Sequence, residues 1–138
     1  MTPERRRAFL LEGTRTAKVA TVAGDGRPHV TPIWFVLDGE DVIFTTERTS
    51  VKGRALRRDP RVGLCVDDER PPFAFVMIDG VASISEELSE LRCWATRIGG
   101  RYMGADRAET FGARNGVPGE LLVRVTPTRI IAQDGVAD

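Results

Sequence analysis

The stretch that decides the fold is AKVATVAGDGRPHVTPIWFVLDGEDVIFTT, residues 17–46. Ala17 to Ala23 reads as a strand, and Gly24-Asp25-Gly26-Arg27-Pro28 as a turn through its Asp-Gly step and its proline. His29 to Leu37 is β-branched and aromatic, with Val30, Trp34 and Val36 on one face and Ile33, Phe35 and Leu37 on the other. Apolar residues on both faces predict a well-buried strand, and Pro32 predicts an edge or a bulge within it. Asp38-Gly39-Glu40-Asp41 is the next tight turn, and Val42 to Thr46 returns. The expectation is a three-stranded antiparallel meander.

Outward from this stretch, Thr2 and Pro3 start a short helix that Gly13 ends near Leu11. On the other side a helix from Ser50 to about Arg58 is ended by Asp59-Pro60. Arg61 to Asp67 alternates Val62, Leu64 and Val66 on one face, which is a strand pattern. Pro71-Pro72 breaks the chain, and Phe73 to Ser85 is a long strand with Gly80 as a bulge. Glu86 to about Met103 is the strongest helix, with Leu88, Leu91, Ala95, Ile98 and Tyr102 at spacings of three and four. A glycine-containing loop or short helix covers Gly104 to Gly119, and Glu120 to Ala132 is the last strand, bent at Pro127. The fold class predicted is mainly β (α+β): a six- to seven-stranded antiparallel split β-barrel with three to four flanking helices, in one domain over residues 1–138. Closing the strands removes exposed edges.

Composition bounds the function. Lys plus Arg number 20 and Asp plus Glu number 20, and this balance argues against a general nucleic-acid or membrane-surface binder. The longest apolar runs, Ile33–Leu37 and Phe73–Ile78, fall far short of the roughly 20 residues that span a bilayer. No signal-peptide pattern occupies Met1 to Leu11, and Cys65 and Cys93 form no motif, so a reduced, cytoplasmic protein with two buried thiols is expected. His29 is the only histidine, which excludes a two-His metal site within the chain; no metal is expected. There is no nucleophile elbow, no Walker phosphate loop and no dinucleotide-binding glycine fingerprint. Whatever chemistry occurs belongs to a cofactor, with no catalytic side chain assigned. His29, beside a turn, reads as exposed or capping.

One segment concentrates polar chemistry: Thr45-Thr46-Glu47-Arg48-Thr49-Ser50-Val51-Lys52-Gly53-Arg54. It lies where a strand ends and a helix begins, and the start of a helix carries about half a positive charge. Hydroxyls of Thr45, Thr46, Thr49 and Ser50, with the cations Arg48 and Lys52, can converge there on one anion. Cations in a first helical turn oppose the helix dipole, a conflict that an anionic ligand removes. Two readings fit this local chemistry: a phosphate site, or a solvated helix with surface arginines. Lys52 is one of only two lysines, with Lys18.

Ala20-Thr21-Val22, Asp25 to Pro32, Phe44-Thr45-Thr46, Ser50-Val51-Lys52 and Leu56 to Val62, in this order and spacing, resemble the pyridoxamine 5'-phosphate oxidase-like split β-barrel superfamily. The Phe75 to Gly80 strand, the long helix and the terminal strand follow in the same order, so the resemblance covers nearly the whole chain. It implies that Thr45, Thr46, Arg48, Ser50 and Lys52 hold a cofactor phosphate; Arg48, Arg54 and Arg57 are candidates for a groove of arginines that suits a polyanionic coenzyme. It implies that the cofactor ring lies along Val30, Thr31, Pro32 and Ile33. It also implies a homodimer with the cofactor at the subunit interface, where Phe75 or Trp94 of the second copy completes the site. Trp34 and Trp94 are candidates for contact with a small-molecule substrate, although packing alone accounts for both.

The departures narrow the resemblance. FMN oxidases of the superfamily carry an Arg-Lys pair where this chain has Val51-Lys52, an arginine where it has Thr31-Pro32, and a glutamine near Phe75. Their C-terminal substrate motif is missing before Asp138. The chain is more similar to the small actinobacterial branch that uses the deazaflavin coenzyme F420, in which reduced F420 donates hydride. The resemblance therefore implies an F420-dependent reductase acting on an unsaturated or quinone-like molecule. The alternatives are an FMN-binding flavin reductase or oxidase of the same fold, or a non-catalytic flavin- or haem-binding protein.

Overall fold

The computed structural model describes residues 1–138. Helix α1 (Pro3–Leu11) starts where Thr2 Oγ1 accepts from the Arg5 amide, with proline at the first helical position. Strands β1 (Ala17–Val22) and β2 (Pro28–Ile33) form a hairpin whose turn passes through Gly26 at φ +86°. β3 (Val36–Asp38) and β4 (Asp41–Glu47) form a second hairpin. Then come α2 (Val51–Arg58), β5 (Arg61–Asp68), β6 (Ala74–Ser85) and α3 (Leu88–Met103). A single 3-10 turn (Ala105–Arg107), α4 (Ala108–Asn115) and β7 (Glu120–Gln133) complete the chain.

All seven strands lie in one antiparallel sheet of order β2-β1-β5-β6-β7-β4-β3. This corrects the meander. The expected single strand from His29 to Leu37 is two strands, and they occupy opposite ends of the sheet order. Only Trp34 and Phe35 join those ends, so the sheet must curl back on itself: a barrel split at one seam. The break has a tertiary cause. The Phe35 amide donates to Tyr102 Oη at 3.1 Å, and the Phe35 carbonyl accepts from Arg101 at 2.6 Å. Side chains of α3 thus satisfy a backbone unit that a continuous strand would have paired.

β2 is an edge strand, as Pro32 predicts, but it is not buried on both faces: Val30 is 60% exposed. The bulge expected at Gly80 is present as a register shift between Asp79 and Gly80, opposite Pro127. A Cβ on Gly80 would meet Val125 Cγ1 at 2.6 Å and the Thr126 carbonyl at 2.7 Å, so only glycine fits where β7 crosses so closely.

The barrel interior is filled by Phe9, Val19, Phe35, Phe44, Val76, Leu121, Val123 and Val125, with α1 closing one end. A second apolar cluster of Ile43, Leu91 and Leu122 lies outside the barrel wall. Along α3 the expected stripe holds for Leu91, Ala95 and Ile98, but Leu88 in the first turn is exposed. The Gly104 to Gly119 segment packs on α3 through glycines: Gly99 abuts Phe111, and Gly112 abuts Thr96. The thiols differ from expectation, since Cys65 is half-buried on the outer side of β5 and Cys93 is exposed on α3. No helix is long and apolar enough to cross a membrane.

Candidate functional site

The junction of β4 and α2 opens onto a cleft of about 480 Å³. Pro32, Ile33 and Trp34 of the β2–β3 junction form one wall, and Thr45, Thr46, Glu47, Ser50 and Lys52 form another. Ile98 of α3, Arg114 and Asn115 of α4 and Glu120 of β7 complete the lining. Seven of the candidates read from the sequence thus share one cleft: Pro32, Ile33, Trp34, Thr45, Thr46, Ser50 and Lys52.

The hydroxyls divide into two sets. Ser50 caps α2 by accepting from the Gly53 amide at 3.0 Å, and it donates to the Glu47 carbonyl at 2.7 Å. Its proton being spent there, the 3.0 Å contact with Thr46 Oγ1 makes the threonine the donor. Ser50 and Thr46 therefore build the strand-to-helix corner and have no hydroxyl proton left for an anion. Thr45 keeps its own. The amides of Val51 and Lys52, first in the helix, are those a helix leaves without an internal acceptor.

Lys52 and Arg114 are the cations lining the cleft, and neither is salt-bridged. The other lysine, Lys18, pairs with Asp67 at 3.4 Å. Arg48 lies beside the corner and leans toward Glu86 at 3.8 Å. The cleft also holds carboxylates: Glu120 faces Glu47 across the β4–β7 ladder. Burial, then the nearby Glu47 charge, push the Glu120 carboxyl above its ordinary value, and Lys52 opposes them.

Trp34 is held in place from behind. Its ring stacks on Tyr102 with centroids 4.9 Å apart and planes 4° from parallel. Tyr102 Oη also donates to the Arg15 carbonyl at 2.7 Å, and burial keeps its phenol protonated by raising its pKa.

The remaining candidates lie outside this cleft in the single chain. Val30 and Thr31 sit farther along β2, with Val30 pointing outward. Arg57 is exposed in the last turn of α2. Phe75 lies on β6 opposite Asp67 and Gln133. Trp94 packs against the outer apolar cluster, with Arg97 and Arg124 over its ring. Sequence reasoning did not find Arg114, Asn115, Glu120 or Ile98, because only the packing of α4 against α3 and the β4–β7 pairing bring them to the corner.

The pyridoxamine 5'-phosphate oxidase family model matches residues 2–134. The chain belongs to this family. Its members include oxidoreductases and bind flavin-type cofactors. Among solved structures, the oxidase-family fold recurs in protein Rv2991 of Mycobacterium tuberculosis, at 29% identity and TM-score 0.86, over 98% of this chain and 86% of that one. A structure described as an F420 reductase matches at 27% identity and TM-score 0.70, over 90% of this chain and 94% of that one. The haem storage protein HutZ of Vibrio cholerae, at 22% identity and TM-score 0.76, covers 99% of this chain and 98% of its own and shares the fold. No curated protein matches the sequence. For an oxidase-family chain, the unpaired Lys52, the free amides of α2 and the adjoining Trp34 wall are the features that fit a cofactor with a phosphate and a flat ring.

Proposed function

We propose that this chain is an F420-dependent reductase that passes hydride to an unsaturated or quinone-like small molecule. The observation that carries the reading is the placement of Lys52, unpaired, at the start of α2 in one cleft with the Pro32–Trp34 wall. Likeness to the F420 reductase structure supports it.

In this reading Lys52, Arg114, the Thr45 hydroxyl and the first amides of α2 hold the coenzyme's phosphate. Ser50 and Thr46 hold the shape of the corner that presents them. Pro32, Ile33 and Trp34 border the ring and exclude water on that side, which favours a close, oriented approach of the acceptor. When bound and reduced, the coenzyme supplies the hydride. Arg48, Arg54 and Arg57, exposed around α2, suit the anionic tail of F420.

The functional unit is a homodimer. Val22, Val30, Met77, Val81 and Ile131 are all exposed on the outer face of the sheet, between 40% and 60%. Their register places Val30 beside Ala20, and Cys65, Met77 and Ile131 in one row. A stripe of this kind on a soluble protein marks an interaction surface, and a second copy brings its own stripe along with Phe75 and Trp94. Free thiols at Cys65 and Cys93 suit the reducing, cytoplasmic environment of this reading.

Titration of the purified protein with F420, followed by coenzyme fluorescence, tests the assignment. Saturable binding and hydride transfer to a quinone or enone acceptor are expected. No binding at concentrations on the order of tens of micromolar would end the F420 reading. A yellow protein that releases FMN on denaturation would move the assignment to the FMN enzymes of the family. Tight binding without turnover over a broad acceptor panel would make it a carrier.

A further inference from the structure

Lys52 and Arg114 bring two positive charges to the cleft, and Glu47 and Glu120 bring two negative ones. Fully ionised, the set is neutral, a poor match for an anion. Glu47 is exposed to water and hydrated; Glu120 is different. Its Oε2 is buried and has no hydrogen-bond partner. A buried carboxylate oxygen without a donor is costly, whereas a protonated carboxyl group is itself a donor. The charged groups lining the cleft with Glu120 are Glu47 on β4, Lys52 on α2 and Arg114 on α4. Arg48, between β4 and α2, is drawn toward Glu86.

We propose that Glu120 is a proton-linked binding residue of this cleft: a phosphate-bearing ligand binds together with one proton, taken from solvent onto the accessible Oε1 of the Glu120 carboxyl, which then donates to a phosphate oxygen while the buried Oε2 is relieved of its charge. No bond other than that to the proton is made or broken. The bound state keeps Lys52 and Arg114 opposed only by Glu47, a net positive site around the anion. The inference rests on the anion-cleft reading of the proposed function. Burial and the Glu47 charge both bias the carboxyl toward its protonated form, in the direction the proposal needs.

Calorimetric titration of the full chain with F420, in buffers of differing ionisation enthalpy from about pH 5 to 8, tests it. Wild type is expected to take up close to one proton per ligand above the Glu120 midpoint, with affinity falling up to about tenfold per pH unit there. Glu120→Gln, a permanent donor, is expected to bind without that uptake. The ratio of the two affinities at each pH cancels any titration of the ligand. Glu47→Gln is expected to move the wild-type midpoint to lower pH, and carboxyl NMR of Glu120 is expected to show its pKa rising when F420 is added. Equal proton uptake by wild type and Glu120→Gln, or a Glu120 pKa that does not rise on loading, would overturn the inference while leaving the anion cleft intact. Absence of F420 binding by wild type at every pH would overturn both.

Discussion

The indole of Trp34 lies flat on the phenol of Tyr102, 4.9 Å between centroids and 4° between planes, in the two-residue link that joins the sheet's two edge strands. The same phenol accepts from the Phe35 amide and donates to the Arg15 carbonyl. One residue of α3 thus fixes a wall of the cleft and closes the barrel seam. Tyr102→Phe keeps the stack and leaves both backbone groups unpaired. It is expected to destabilise the fold by about 1–3 kcal/mol, read from the urea midpoint, with F420 affinity nearly unchanged. An unaltered midpoint would show that water replaces the hydroxyl without loss.

Lys52→Ala removes the unpaired ammonium at the start of α2. A charged hydrogen bond contributes about 1.5–3 kcal/mol, so F420 binding is expected to weaken by about 10- to 100-fold. Lys18→Ala, which breaks only the exposed pair with Asp67, serves as the control and is expected to leave affinity unchanged. Equal losses in the two variants would remove Lys52 from the site.

Gly53 lies in the first turn of α2, where propensity alone makes alanine better by about 1 kcal/mol. The structure reverses that sign. A Cβ there would collide with the Glu47 carbonyl and would meet Ser50 Oγ at 3.0 Å, the two partners that form the corner. Gly53→Ala is expected to lower the melting temperature and to impair ligand binding together. A stabilised variant with normal binding would show that the corner relaxes easily.

Asp59 is held down to about 2 by the hydrogen bond from the Arg61 side chain, and Asp68 lies lower still through the one from Arg70. Both groups bind protons more weakly folded than unfolded, so the stability they contribute is complete above the ordinary value of 3.8. It is lost as pH falls through that value toward about 2. The melting temperature is expected to drop across this window, and less steeply in Asp59→Asn. Parallel profiles for the variant and wild type would assign the acid loss to other groups.

Met77 and Val30 are exposed on the outer sheet face. Introducing a charge by Met77→Glu or Val30→Glu is expected to convert a dimer to a monomer in sedimentation velocity, with the barrel still folded by circular dichroism. If wild type itself sediments as a monomer, the cleft is complete in one chain.

Local pattern was enough for much of this molecule. The Thr2-Pro3 helix start, the Ser50 cap and the alternation of Val62, Leu64 and Val66 each depend on neighbours a few residues away, and Gly80 and Pro32 signal a bulge and an edge by their own backbone chemistry. Motif order carried the family and the Pro32–Ile33 wall, while the local chemistry of the strand-to-helix segment pointed to Thr45, Thr46, Ser50 and Lys52. What the sequence could not supply is long-range. His29 to Leu37 looks like one buried strand because periodicity reports side-chain polarity alone, whereas Arg101 and Tyr102, far along the chain, claim the Phe35 backbone and divide it. Glu120 and Arg114 carry no motif, and Ser50 and Thr46 look like ligands until their protons are traced to the corner itself. Which polar groups are spent within the fold, and which are left facing a cleft, is settled only when distant segments pack and compete for the same hydrogen bonds.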